Sequence, residues 1–66
     1  MKNSLKIERA IKNLTQDDLA KLIGVSRQTI NSIEKGRYVP STVLALKISR
    51  IFEKPVNSIF ELEDSD

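Results

Sequence analysis

Sixty-six residues make one domain at most, and a chain this short buries only about 60% of the surface it exposes when unfolded, so its core is small. With neither cysteine nor histidine, the chain has no disulfide framework, no Cys/His zinc site and no His-based acid/base pair. The net charge of +2 conceals an asymmetry: residues 1–60 hold eleven basic and five acidic side chains, while Glu61, Glu63, Asp64 and Asp66 crowd the end. A basic body with an acidic tail suggests a polyanionic partner. No apolar run approaches the ~18 residues of a membrane-spanning helix, and the N-terminus lacks the apolar core of a signal peptide. The expectation is a soluble, cytoplasmic protein with no membrane partner.

Apolar residues recurring every three or four positions predict helices throughout, with a short strand at one or both ends. The first helix runs from about Asn3 or Ser4 to Lys12, with Ile7, Ala10, Ile11 and Leu14 forming its apolar face. Asn13 follows, a residue that tolerates the left-handed conformation past a helix end. Thr15 is an N-cap candidate for the second helix, with Asp17 and Asp18 in its first turn and Leu19, Ala20, Leu22 and Ile23 inward. Gly24 ends it. Ser26 caps a third helix, which runs to about Lys35 with Ile30 and Ile33 inward and stops at Gly36. Ser41 caps a fourth, from about Thr42 to Glu53, whose apolar face is Leu44, Ala45, Ile48, Ile51 and Phe52. Lys47, Arg50 and Lys54 read as solvated. Pro55 suits the first turn of a fifth helix ending near Phe60. Residues 1–62 form the domain and 63–66 a mobile acidic tail.

The informative stretch is Gln16 to Lys35. Two short helices joined by Ile23-Gly24-Val25-Ser26 have the form of a helix-turn-helix, in which the second helix projects from the surface. Ala20 and Gly24 supply the small groups that the steep crossing needs. Beyond Ile30 and Ile33, the third helix leaves Arg27, Asn31 and Lys35 on one face at i, i+4, i+8, with Gln28 and Ser32 in the adjacent row. These groups match base edges: Arg to guanine, Asn or Gln to adenine. About ten residues rising about 1.5 Å each give a rod of about 15 Å that fits the ~12 Å major groove. Asp17 and Asp18, adjacent on a helix, do not face each other and cannot flank a substrate bond; they stabilise the helix dipole.

Thr15-Gln16-Asp17-Asp18-Leu19-Ala20, then Ile23 through Gly36, then Pro40-Ser41, Leu44-Ala45-Leu46-Lys47-Ile48 and Ile59-Phe60, resemble the phage-repressor/Cro-type (XRE-family) helix-turn-helix transcriptional regulators, in their small single-domain form. The resemblance covers residues 5 to 62. It implies an all-α, five-helix domain of the lambda-repressor-like type that binds double-stranded DNA as a homodimer. It implies base contacts from Arg27, Gln28, Asn31 and Ser32, and phosphate contacts from Gln16, Thr29, Lys35, Arg37 and Tyr38. Arg9 and Glu34 match a structural ion pair of related repressors. The first helix departs from the family: Glu8 stands where many relatives carry an apolar residue, and Ile7 where they carry a polar one.

The apolar residues Val56, Ile59, Phe60 and Leu62 are too many for so small a core, so they, with Val39, are the candidate dimer interface. The alternative for Ile59 and Phe60 is that they cap the monomer core. The leading reading is a sequence-specific regulator, more in the manner of a repressor, on an inverted-repeat operator. It is not an enzyme, and no cofactor, metal or small-molecule ligand is expected. The rival readings are the antitoxin of a toxin–antitoxin pair, and a helix-turn-helix fold used as a protein-interaction module.

Overall fold

The computed structural model describes residues 1–66 and contains five helices and two short strands: β1 (Lys2–Asn3), α1 (Leu5–Ile11), α2 (Gln16–Ile23), α3 (Arg27–Glu34), α4 (Thr42–Phe52), α5 (Val56–Ile59) and β2 (Phe60–Glu61). Local chemistry sets the boundaries. The side chains of Thr15, Ser26 and Ser41 accept from the amides of Asp18, Thr29 and Leu44, capping α2, α3 and α4. Gly24 and Gly36, at φ +74° and +72°, end α2 and α3 in the left-handed region, where a side chain would be strained. Asn13 and Glu53 take the same region without being glycine. No helix is long and apolar enough to cross a membrane.

Eleven apolar residues form one core. Leu5 enters it from α1, Leu19, Ala20 and Ile23 from α2, and Ile30 and Ile33 from α3. Leu44, Ile48 and Phe52 come from α4, and Ile59 and Phe60 close it. The ends of the domain are joined: β1 and β2 pair antiparallel, Lys2 opposite Glu61 and Asn3 opposite Phe60, and the Ser4 amide donates to the Ile59 carbonyl at 2.9 Å. Residues 63–66 form a turn beside the first residue, where the Met1 amine lies 3.0 Å from Glu63 and 3.1 Å from Asp66.

The structure differs from the sequence expectation at three places. The expected apolar face of α1 points to solvent: Ile7 and Ile11 are 63% and 67% exposed, and Ala10 is exposed as well, whereas Leu5 is fully buried and Glu8 is 6% exposed. The i, i+3, i+4 pattern of Ile7, Ala10 and Ile11 was self-consistent but chose the wrong side, because a charged residue occupies one of the inward positions. Glu8 can stay there because Lys54, itself exposed, reaches it, Nζ to Oε2 at 2.8 Å, and pairs the buried carboxylate. Leu22 is exposed, not inward. Finally, Ile59 and Phe60, offered as dimer contacts, are 2% and 6% exposed and belong to the monomer's own core.

Candidate nucleic-acid interface

The α2–α3 unit begins with a capping box: the Thr15 hydroxyl accepts from the Asp18 amide at 3.0 Å, and the Asp18 carboxylate accepts from the Thr15 amide at 3.0 Å. The Thr15 N–H holds the Asp18 carboxyl below its ordinary value of 3.8. Past Gly24, the Val25 amide donates to the Ala20 carbonyl at 3.0 Å and turns the chain into the Ser26 cap. Ile30 and Ile33 anchor α3 from below. The remaining circumference must then face outward.

Arg27 and Gln28 are exposed at the start of α3, and Asn31 and Ser32 are half-buried one turn on. Gln16, Arg27, Gln28 and Asn31 line one shallow depression between the starts of α2 and α3. Of the residues expected to meet phosphates, Lys35 and Arg37 are exposed beyond the end of α3, and Tyr38 is 47% exposed. Two bonds set this loop: the Gly36 amide to the Ile33 carbonyl and the Arg37 amide to the Ser32 carbonyl, both at 2.9 Å. Thr29 is half-buried, its amide on Ser26 Oγ at 3.1 Å and its hydroxyl 2.9 Å from the same oxygen. With Ser26 as donor in that hydroxyl contact, Thr29 keeps its own hydrogen for an outside acceptor.

Charge on this face is one-sided. Arg27, Lys35 and Arg37 make no ion pair. The one acid of α3, Glu34, is held by Arg9, whose Nη2 donates to Oε1 at 3.0 Å while Nε donates to Oε2. Arg9 Nη1 also donates to the Leu14 carbonyl at 2.9 Å. The two side chains are 13% and 7% exposed, so the pair is largely out of water. Glu34 raises the Arg9 guanidinium above its already high ordinary value, which keeps it charged. Asp17 is paired with Lys21 at 3.1 Å across one turn of α2.

Gln16 stands at the first position of α2. Its side-chain nitrogen turns inward, 3.2 Å from Glu34 Oε1 and 3.4 Å from Asn31 Oδ1. A phosphate oxygen accepts and cannot donate, so the group left to meet one is the main-chain amide of Gln16, the first of α2 and without an intrahelical carbonyl. Two contributors escaped the sequence reading. Asn3 donates from Nδ2 to the Ile33 carbonyl at 2.8 Å and accepts from the Leu5 amide at 3.1 Å, tying α1 to the end of α3. The Glu8–Lys54 contact was signalled only by a glutamate standing where the related regulators carry an apolar residue. No group of three His, Cys, Asp or Glu residues is placed to hold a metal ion.

A helix-turn-helix family profile matches residues 5–59. An uncharacterized HTH-type transcriptional regulator of Methanocaldococcus jannaschii is 58% identical over the full length of both chains. The uncharacterized HTH-type transcriptional regulator YgzD of Bacillus subtilis is 46% identical, again over all of both chains. The ImmF control region 10 kDa protein of Bacillus phage phi105 is 38% identical over 53 residues, which are 80% of this chain and 59% of that protein. The chain belongs to the XRE-type helix-turn-helix family of DNA-binding transcriptional regulators.

Proposed function

We propose that this protein is a sequence-specific, cytoplasmic repressor that binds an inverted-repeat operator as a homodimer, with α3 of each copy in the major groove. One observation carries the reading: the outer side of α3 bears exposed Arg27 and Gln28, free of any acid that is not already neutralised. Eight helical residues span about 12 Å, the width of the groove. Arg27, Gln28, Asn31 and Ser32 read base edges. The Gln16 main-chain amide, Thr29, Lys35, Arg37 and Tyr38 hold phosphates and fix the register. We assign binding to residues 1–62, with 63–66 as an appendage. The relatives named as transcriptional regulators support the regulatory role.

The dimer is carried by apolar side chains that the monomer leaves open. Val39, Val43, Leu46 and Leu62 are exposed, Val56 is half-buried, and a groove lined by Val39, Pro40, Ala45, Leu46 and Val56 runs among them. With Ile59 and Phe60 assigned to the core, Leu46 and Val43 take their place beside Val39, Val56 and Leu62. The domain measures 31 Å along its longest axis, so two copies side by side suit recognition helices about 34 Å apart, one DNA turn. Half-site centres are then about 10 bp apart or a multiple of that.

Selection of bound sequences from random duplex DNA tests the reading. An inverted repeat with that spacing is expected, bound with an affinity that falls steeply with salt as counterions are released. Failure to enrich any sequence refutes it. Sedimentation at micromolar concentration tests the pairing, and a monomer both free and on operator DNA would refute the dimer.

A further inference from the structure

Gln16 joins the ion pair to the DNA-facing surface, and the join has a direction. A glutamine amide has an N–H end and a carbonyl end, and here charge decides which end faces inward. The Glu34 carboxylate is an acceptor only, held in place by two Arg9 donors. The end of Gln16 that faces it must be the NH2 group, since a carbonyl oxygen there would oppose carboxylate oxygens. One hydrogen of that NH2 serves Glu34 Oε1 at 3.2 Å, and the other is aimed at Asn31 at 3.4 Å. Asn31 must therefore answer with its oxygen, because its own NH2 would oppose another. One of the two lone pairs of its Oδ1 is thus taken within the protein, while its Nδ2 makes no bond there.

We propose that the Arg9–Glu34 pair, acting through Gln16, fixes the polarity of Asn31 so that its unbonded NH2 group is the one offered to the major groove and guanine is favoured over adenine. The inference rests on the reading that α3 enters that groove. An unconstrained asparagine suits adenine, accepting from N6 and donating to N7. An asparagine whose oxygen is turned to Gln16 can meet adenine N6 only with its second lone pair, and only in the plane that the Gln16 bond fixes, which makes adenine the poorer partner. It can still donate to guanine, whose major-groove edge presents two adjacent acceptors, N7 and O6. Gln16 and Glu34 are in this respect positioning residues, and Asn31 determines specificity.

The test is selection from random duplex DNA by the full chain and three variants, followed by competition between half-sites that differ at one base pair. Asn31→Ala identifies the pair in question, as the one whose preference disappears. The native protein is expected to prefer guanine over adenine there by roughly tenfold. Gln16→Met keeps the length of the side chain and removes both amide ends; Gln16→Ala repeats the test if the methionine variant does not fold. Either frees Asn31, and adenine is expected to reach parity or better at that pair alone, with the rest of the site unchanged. A merely structural role for Gln16 would weaken all sequences alike and leave this ratio fixed. Adenine preferred by the native protein, a ratio unmoved by both Gln16 variants, or no pair dependent on Asn31 would each overturn the inference and leave the DNA reading standing. Enrichment of no sequence by the native protein would overturn both.

Discussion

Glu34→Gln removes one charge from the Arg9–Glu34 pair while keeping its shape. The guanidinium keeps the Leu14 carbonyl at 2.9 Å but loses its charged acceptor, with only 13% of the side chain exposed to water. Breaking a buried ion pair from one side costs about 3–5 kcal/mol, and the open edge of this one lowers the expected loss to about 2–3 kcal/mol. A domain of 66 residues, at ~0.05–0.15 kcal/mol each, has roughly 3–10 kcal/mol in total, so the loss is a large share. Arg9→Met combined with Glu34→Met removes both desolvated charges and is expected to lie within about 1 kcal/mol of the native protein. Urea unfolding followed by circular dichroism measures all of these, with Arg9→Met and Glu34→Met singly completing the cycle. A loss under about 0.5 kcal/mol for Glu34→Gln, typical of a solvated surface pair, would refute the reasoning. So would a double variant whose loss equals the sum of the two singles.

Arg27→Ala is expected to cost about 1–3 kcal/mol of operator affinity and to relax preference at one base pair, measured by fluorescence anisotropy on the selected site. Ser26→Ala and Ser41→Ala should each lose about 1 kcal/mol of stability, whereas Ser4→Ala should lose less, because the Ser4 side chain makes no cap bond. Leu5→Ala should cost about 2–5 kcal/mol while Ile7→Lys and Ile11→Lys stay within about 0.5 kcal/mol; thermal melts that reversed this order would contradict the register of α1. The Asp18 carboxyl is depressed in the folded state, so its stabilising contribution is present above its ordinary value of 3.8 and disappears as the pH falls through the lower folded value. Denaturant titrations in acid should therefore show Asp18→Asn losing less than the native protein below about pH 4, and equal losses would count against the capping box.

Most of the helix pattern could be read without coordinates because its signals are local. Thr15, Ser26 and Ser41 mark starts, and Gly24 and Gly36 mark stops; each works through its own backbone neighbours. The i, i+4 row of Arg27 and Asn31 was equally plain, since Ile30 and Ile33 left only one side for the core. The failures came where distant residues decide. Glu8 looks like a solvent residue until Lys54, 46 positions later, is seen beside it, and without that partner the periodicity of α1 points the wrong way. Ile59 and Phe60 follow the same logic: the core they complete is assembled from all the other helices. Gln16 lies beside Arg27, Gln28 and Asn31, as its place at the start of α2 suggests, but the direction of its amide depends on the carboxylate of Glu34, 18 residues away.

The short β1–β2 ladder carries a temporal implication. Lys2 finds its partner only once Glu61 is present, so a growing chain must extend through all five helices before residues 2 and 3 can dock. Closing so wide a loop is slow relative to forming the intervening helices. Asn3, which ties the end of α3 through the Ile33 carbonyl, is held by that late step. The tether on the end of α3 is thus set after the helices form, when residues 60–61 meet residues 2–3.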